Sequence, residues 1–351
     1  MSRSALALLP PRATTGIGSL PHTQGELGLQ LAFQLDVPFL PELPAGNPGE
    51  FMMASALEGL PGLCFDAQGM CTVALRTWEA GAAAFAARLD AALASGELSA
   101  FEPSAAARRA WLPFLWEVRH RRLVLAKAQL AGPATVRWGT QLDSGGPVSE
   151  HPALDRQVFR LLLARCLAMV KALRAAGATP LFYLDEPGLY ALDTREGRHL
   201  LMLQELRLLV VALQREGALV GLHCCGNTRW EALLELGLDL LSFDVRLSLD
   251  ALLDVPGPLE AYLRSGGALS LGIVPTDLGD EASVEELAAA AETSLESVLE
   301  AEAARAALEH SVLTPACGLA LRTVQDAEHV VQQLRVAQRV LGSATLSPEG
   351  T

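Results

Sequence analysis

The sequence predicts a (βα)8 barrel, an α/β fold, and three observations carry that prediction. Eight short apolar runs recur along the 351 residues, most followed by a turn and a long amphipathic stretch. The runs are apolar on both faces rather than alternating, as the strands of a buried parallel sheet are. Polar residues close nearly every run, all around the ring, whereas an open doubly wound sheet would gather them at one switch point.

Taken in order, the runs are 13–19, 37–42, 134–139, 180–185, 220–225, 240–245, 268–274 and 311–317. Between them, 154–175 and 195–216 carry apolar residues at three- and four-residue spacing, the period of an amphipathic helix. Ser283 with Glu286 reads as a capping box that opens an Ala-rich helix running to His310. A last helix is expected over 326–341. The interval 43–133 is too long for one βα unit. It is expected to hold an inserted hairpin around 63–76 and extra helices, one over 79–94. The chain is therefore read as a single barrel over 1–351 with an insertion between strands 2 and 3.

Composition narrows the function. Lys plus Arg number 27 against 40 for Asp plus Glu, a formal charge of −13. Nucleic acid or an anionic membrane would be repelled at long range. The most hydrophobic stretch, 206–225, is interrupted by Arg207, Gln214, Arg215 and Glu216, so it is not a bilayer span. The Ala-Leu run near the N-terminus ends at Pro10 and Pro11, too short for a secretory core, and a cytoplasmic location is expected. In such a compartment the six cysteines are not a disulfide framework. Cys64, Cys71 and Cys166 read as small buried hydrophobes. A chain this long needs no metal staple to fold, so a bound metal would be functional.

The strand ends carry the chemistry. The first ends in Gly16-Ile17-Gly18-Ser19, the second in Glu42, the third in Trp138 and the fourth in Asp185-Glu186-Pro187. The fifth ends in His223-Cys224-Cys225, the sixth in Asp244 and the eighth in Pro315-Ala316-Cys317-Gly318. His223 and Cys225 are two apart on one strand and point the same way. With Cys317 and Asp244 they offer one nitrogen, two sulfurs and an oxygen, a donor set that suits Zn²⁺. Cys224 faces the opposite side. Two carboxylates near a strand-end serine and a Gly-rich turn suit a zwitterion, and Trp138 is either a flat face for a planar ligand or a core residue.

These motifs resemble the C-terminal catalytic barrel of cobalamin-independent methionine synthase. The resemblance lies in Thr15-Gly16-Ile17-Gly18-Ser19-Leu20-Pro21, Leu35-Asp36-Val37 through Glu42, and Gly132-Pro133-Ala134-Thr135 through Trp138. It continues in Leu184-Asp185-Glu186-Pro187, Gly221-Leu222-His223-Cys224-Cys225 and Pro315-Ala316-Cys317-Gly318-Leu319. It implies zinc on His223, Cys225 and Cys317, with Asp244 in place of the family's glutamate. It also implies that Ile17, Ser19, Glu42 and Asp185 hold the amino-acid part of homocysteine, with Trp138 facing a pterin or another planar donor. The expected activity is zinc-dependent methyl transfer to a thiol, homocysteine giving methionine.

Two departures concern the methyl donor. No stretch here resembles the synthase's N-terminal half, which helps to bind folate. The family's catalytic histidine follows the seventh strand, where this chain has Gly272-Ile273-Val274-Pro275-Thr276-Asp277, so Asp277 or a neighbour takes that place. Expulsion of a tetrahydrofolate nitrogen needs a general acid, whereas a methylcorrinoid leaves as a cobalt species without a proton. The donor is therefore expected to be a methylcorrinoid, free or protein-bound, rather than methyltetrahydrofolate. The alternatives are a uroporphyrinogen decarboxylase-like enzyme and a non-catalytic zinc- or thiol-binding relative.

Overall fold

The structure, a computed structural model, describes residues 6–277 and 282–344. Among the described residues ten strands are present: β1 (Ala13–Thr14), β2 (Leu63–Phe65), β3 (Cys71–Val73), β4 (Leu125–Ala131), β5 (Gln141–Leu142), β6 (Thr179–Asp185), β7 (Leu219–Cys224), β8 (Leu240–Asp244), β9 (Ala268–Val274) and β10 (Val312–Pro315). Seven form one parallel sheet in the order β1-β10-β9-β8-β7-β6-β4. Neighbours follow chain order without the reversal that a doubly wound sheet requires, and the sheet curls like a barrel wall. The connections are mostly helical, including Pro152–Ala175, Gly197–Arg215 and Val324–Ala344. No described helix is long and apolar enough to cross a membrane.

Two expected strands differ. Run 37–42 forms no named strand, because Pro38 and Pro41 lack the N–H that a ladder needs. It bonds instead to both edges of the sheet. The Val37 N–H donates to Thr14 O, the Leu40 N–H to Lys127 O and the Glu42 N–H to Gly18 O, while Glu42 O accepts the Leu20 N–H. Run 134–139, expected as the third strand, is the helix Pro133–Gly139. Pro133 sits in its first turn, where proline favours a helix, and Gly132 caps it. The strand that belongs there is β4, within the stretch read as insertion. Trp138 is thus a helical residue and not a strand end.

The other elements lie near their expected positions. The hairpin is β2 paired antiparallel with β3, and it joins β5 in a small second sheet. The Ser283–Glu286 capping box is formed, but its helix ends at Val298 and a second, Ala301–Glu309, follows.

Strand alternation sets what lies inside the curl. The inner faces read Leu125-Lys127-Gln129, Leu181-Tyr183-Asp185, Leu219-Gly221-His223, Leu240-Ser242-Asp244 and Val312-Thr314. The first residue of each belongs to a small apolar cluster with Ala13, Val37 and Ala268 that closes the N-terminal end. Polarity then rises toward the C-terminal end. Opposite parities face the helices and join the large outer core, Phe182, Leu184, Leu222 and Phe243 among them.

Candidate metal centre

His223 and Cys225 leave the end of β7 on its inner face, and Cys317 follows β10. The structure brings these three together, with one ligand atom from each, all within 4.8 Å of one another. His223 is buried, and its Nδ1 lies 2.9 Å from Ser242 Oγ on the neighbouring strand β8. Its Nε2 is buried without a hydrogen-bond partner. An imidazole held at one nitrogen and idle at the other is the usual arrangement of a metal-binding histidine and its outer partner. The Cys225 thiol shares its proton with Cys317, which pulls the Cys317 thiol down to about 4 with further help from His223. That sharing and burial push Cys225 up. One nitrogen and two sulfurs fit zinc, whose catalytic sites have three protein ligands and an open fourth position. Cys224 turns away, its thiol bonded to Gly226 O at 3.3 Å, as the strand parity requires.

Asp244 does not join the three. Its Oδ1 accepts the Arg246 N–H at 2.9 Å and caps the helix Val245–Leu253, with the Arg246 guanidinium 3.9 Å from Oδ2. Burial raises its carboxyl above the usual range. Asp277 is exposed and ion-paired with Arg246 at 2.6 Å. That hydrogen bond lowers its carboxyl, so at neutral pH it has no proton to give as a general acid. Its neighbours 278–281 lie outside the described residues.

The residues expected to hold an amino acid lie around Gly16–Ser19 and the neighbouring strand ends. Ile17 and Ser19 line a narrow crevice with Cys317 and Gly318. A Cβ on Gly318 would stand 2.2 Å from Ser19 Oγ, so any larger residue would turn the serine hydroxyl out of its present position. Glu42 is buried and bonded to Arg108 Nη2 at 2.7 Å and Gln129 Nε2 at 3.2 Å. Asp185 pairs in register with His223 across β6 and β7, and its Oδ1 is buried without a partner. Burial lifts its carboxyl to about 7, against the pull of Lys127 and His223. Glu186 takes a different part. It accepts bonds from the Ala134 and Thr135 N–H groups and the Thr135 hydroxyl, at 2.7–2.9 Å, and so anchors the helix Pro133–Gly139. Trp138 rests on His199 with ring centroids 4.5 Å apart.

Sequence reasoning missed Lys127, Gln129, Arg108 and Ser242. A signal for the first pair was present: two polar residues at i and i+2 in the otherwise apolar Leu125-Ala126-Lys127-Ala128-Gln129-Leu130-Ala131. Arg108 lies in the long stretch between residues 43 and 133 and carried no such signal.

No protein-family model matches the chain, and no curated protein does. Among solved structures it is similar to a B12-independent methionine synthase from Shewanella sp. W3-18-1, determined in complex with selenomethionine. The identity is 14% and the TM-score 0.45, over 66% of this chain and 67% of that one.

Proposed function

We propose that the chain is a zinc-dependent methyltransferase that moves a methyl group to a thiol, homocysteine giving methionine. The observation that carries this reading is the convergence of His223, Cys225 and Cys317, drawn from stretches about ninety residues apart. In this reading run 37–42 takes the eighth place of a closed (βα)8 barrel over 1–351, into which much of 43–133 is inserted.

His223, Cys225 and Cys317 would hold the zinc, and Asp244, whose Oδ1 caps the helix Val245–Leu253, could join only through Oδ2. When bound, the ion would supply the Lewis acidity that removes the proton of a substrate thiol near neutral pH. With Nε2 as ligand, the His223 Nδ1–H donates to Ser242 Oγ and fixes the ring. The two cysteine sulfurs keep the centre rich in negative charge, which favours a nucleophilic substrate sulfur. Asp185, with its idle buried oxygen, would take the substrate ammonium, and Ser19 with the turn before it would take the carboxylate. The methyl group then passes in line to the sulfur: the S–C bond forms and the bond to the donor breaks, its electron pair staying with the donor.

The donor reading follows from Asp277. A carboxylate paired with Arg246 cannot protonate a leaving folate nitrogen, whereas a methylcorrinoid leaves without a proton. The test is turnover of zinc-loaded protein with homocysteine and either methylcobalamin or methyltetrahydrofolate, read as methionine by mass spectrometry. Methionine from methylcobalamin is expected. Ready turnover of methyltetrahydrofolate without a corrinoid would overturn the donor, and no product from either would overturn the activity.

A further inference from the structure

A fully buried ammonium lies beneath the candidate site, on the inner face of β4, and the chemistry above does not use it. Lys127 Nζ donates to Ile17 O at 2.6 Å and to Gln129 Oε1 at 3.1 Å, and stands 4.8 Å from the centre of the Tyr183 ring. Gln129 passes the chain on, donating through Nε2 to Glu42 Oε1, and Arg108 closes it on the same oxygen. Tyr183 lies two residues before Asp185 on the same face, so Lys127 lies below both carboxylates assigned to the substrate.

The charges of this cage sum to zero. Glu42 and Asp185 are two potential anions, Arg108 and Lys127 two potential cations, and all four are buried. Whether Lys127 and Asp185 stand as ammonium and carboxylate or as amine and carboxylic acid, the sum stays zero. Glu186 does not change the count, because the amides at the start of the helix Pro133–Gly139 answer its charge. A cage of two bare carboxylates would prefer a simple cation. A compensated one prefers a ligand that brings no net charge into a site poor in water.

We infer that Lys127 is a positioning residue that sets charge selectivity: by holding Ile17 and offsetting Asp185 and Glu42, it makes the pocket select a zwitterionic amino-acid thiol over a cationic or an anionic thiol. This rests on the thiol-methyltransferase reading and adds to it the property that the pocket discriminates by net charge.

The test is calorimetric binding to zinc-loaded protein of three thiols of similar length: L-homocysteine, 3-mercaptopropylamine and 4-mercaptobutyrate, with zinc measured in the same samples. Homocysteine is expected to bind at least about tenfold more tightly than either single-charge thiol. In Lys127→Met nothing of the cage offsets Asp185 when it ionises, so an ammonium ligand becomes its natural counter-charge, and the amine should gain at least about tenfold on homocysteine. A merely structural lysine would weaken all three alike, and that outcome overturns the inference. Should Lys127→Met not fold, the wild-type ranking decides, and an amine that equals homocysteine overturns the inference. Bound zinc with the wrong ranking leaves the functional reading standing, whereas a chain that takes no zinc sinks both.

Discussion

Removing Arg108 while leaving Glu42 should be one of the costliest single substitutions near the site. The pair is 2.7 Å apart, with side-chain exposures of 0% and 5%, so neither charge can be rescued by water. Breaking such a pair from one side leaves an uncompensated buried charge, at about 3–5 kcal/mol. Glu42 keeps its bond from Gln129 at 3.2 Å, which places Arg108→Met near the lower end, at about 3 kcal/mol. Replacing both charges, in Glu42→Gln with Arg108→Met, removes the stranded carboxylate and should return the protein to within about 1–2 kcal/mol of wild type. The assay is urea unfolding followed by far-ultraviolet circular dichroism, on all four members of the cycle. A cost below about 1 kcal/mol for Arg108→Met, the range of exposed ion pairs, would refute the reasoning. So would a double variant whose cost is the sum of the singles.

Two further predictions follow from the site. In protein stripped of metal by a chelator, the Cys317 thiol sits at about 4, so above that pH it is the thiolate and below it the thiol. Its alkylation by iodoacetamide, followed by mass spectrometry, should be nearly flat between pH 6 and 8, where an ordinary thiol of pKa about 8.5 gains about tenfold per unit; a tenfold rise per unit would contradict the shared proton. A Cβ on Gly272 would lie 2.6 Å from Phe243 O and 2.9 Å from Ala316 Cα, both backbone, whereas one on Gly257 meets nothing within 4 Å. Gly272→Ala should therefore cost about 2 kcal/mol or more in urea unfolding, and Gly257→Ala should be neutral or stabilising; equal effects would contradict the close approach of β8, β9 and the turn after β10.

The parallel sheet was legible because its strands are buried on both faces and write themselves as unbroken apolar runs. The convergence of His223, Cys225 and Cys317 was legible for a related reason: His223 and Cys225 share a strand face, and Cys317 follows another strand of the same sheet. Where the reading failed, local signals competed. Ala134 to Gly139 is apolar enough for a strand, but Pro133 before it and the distant Glu186 carboxylate make it a helix. The real strand, β4, was hidden by Lys127 and Gln129, whose polarity is answered by Ile17, Leu40 and Glu42, far away in sequence. Asp244 shows the limit from the other side. A strand-end carboxylate beside a helix start can ligate or cap, and Asp244 caps, its Oδ1 accepting the Arg246 N–H two residues on. Glu42 was placed at the site, but its partner Arg108 sits sixty-six residues later, beyond any spacing rule.

The central claim is the zinc held by one imidazole and two thiolates. Elemental analysis of protein purified without chelators tests it most directly, comparing wild type with Cys317→Ser and with Cys64→Ser, which alters an exposed thiol outside the group. About one zinc per chain is expected for wild type and Cys64→Ser, with most of it lost in Cys317→Ser. No zinc in wild type, or equal zinc in the two serine variants, would contradict the account.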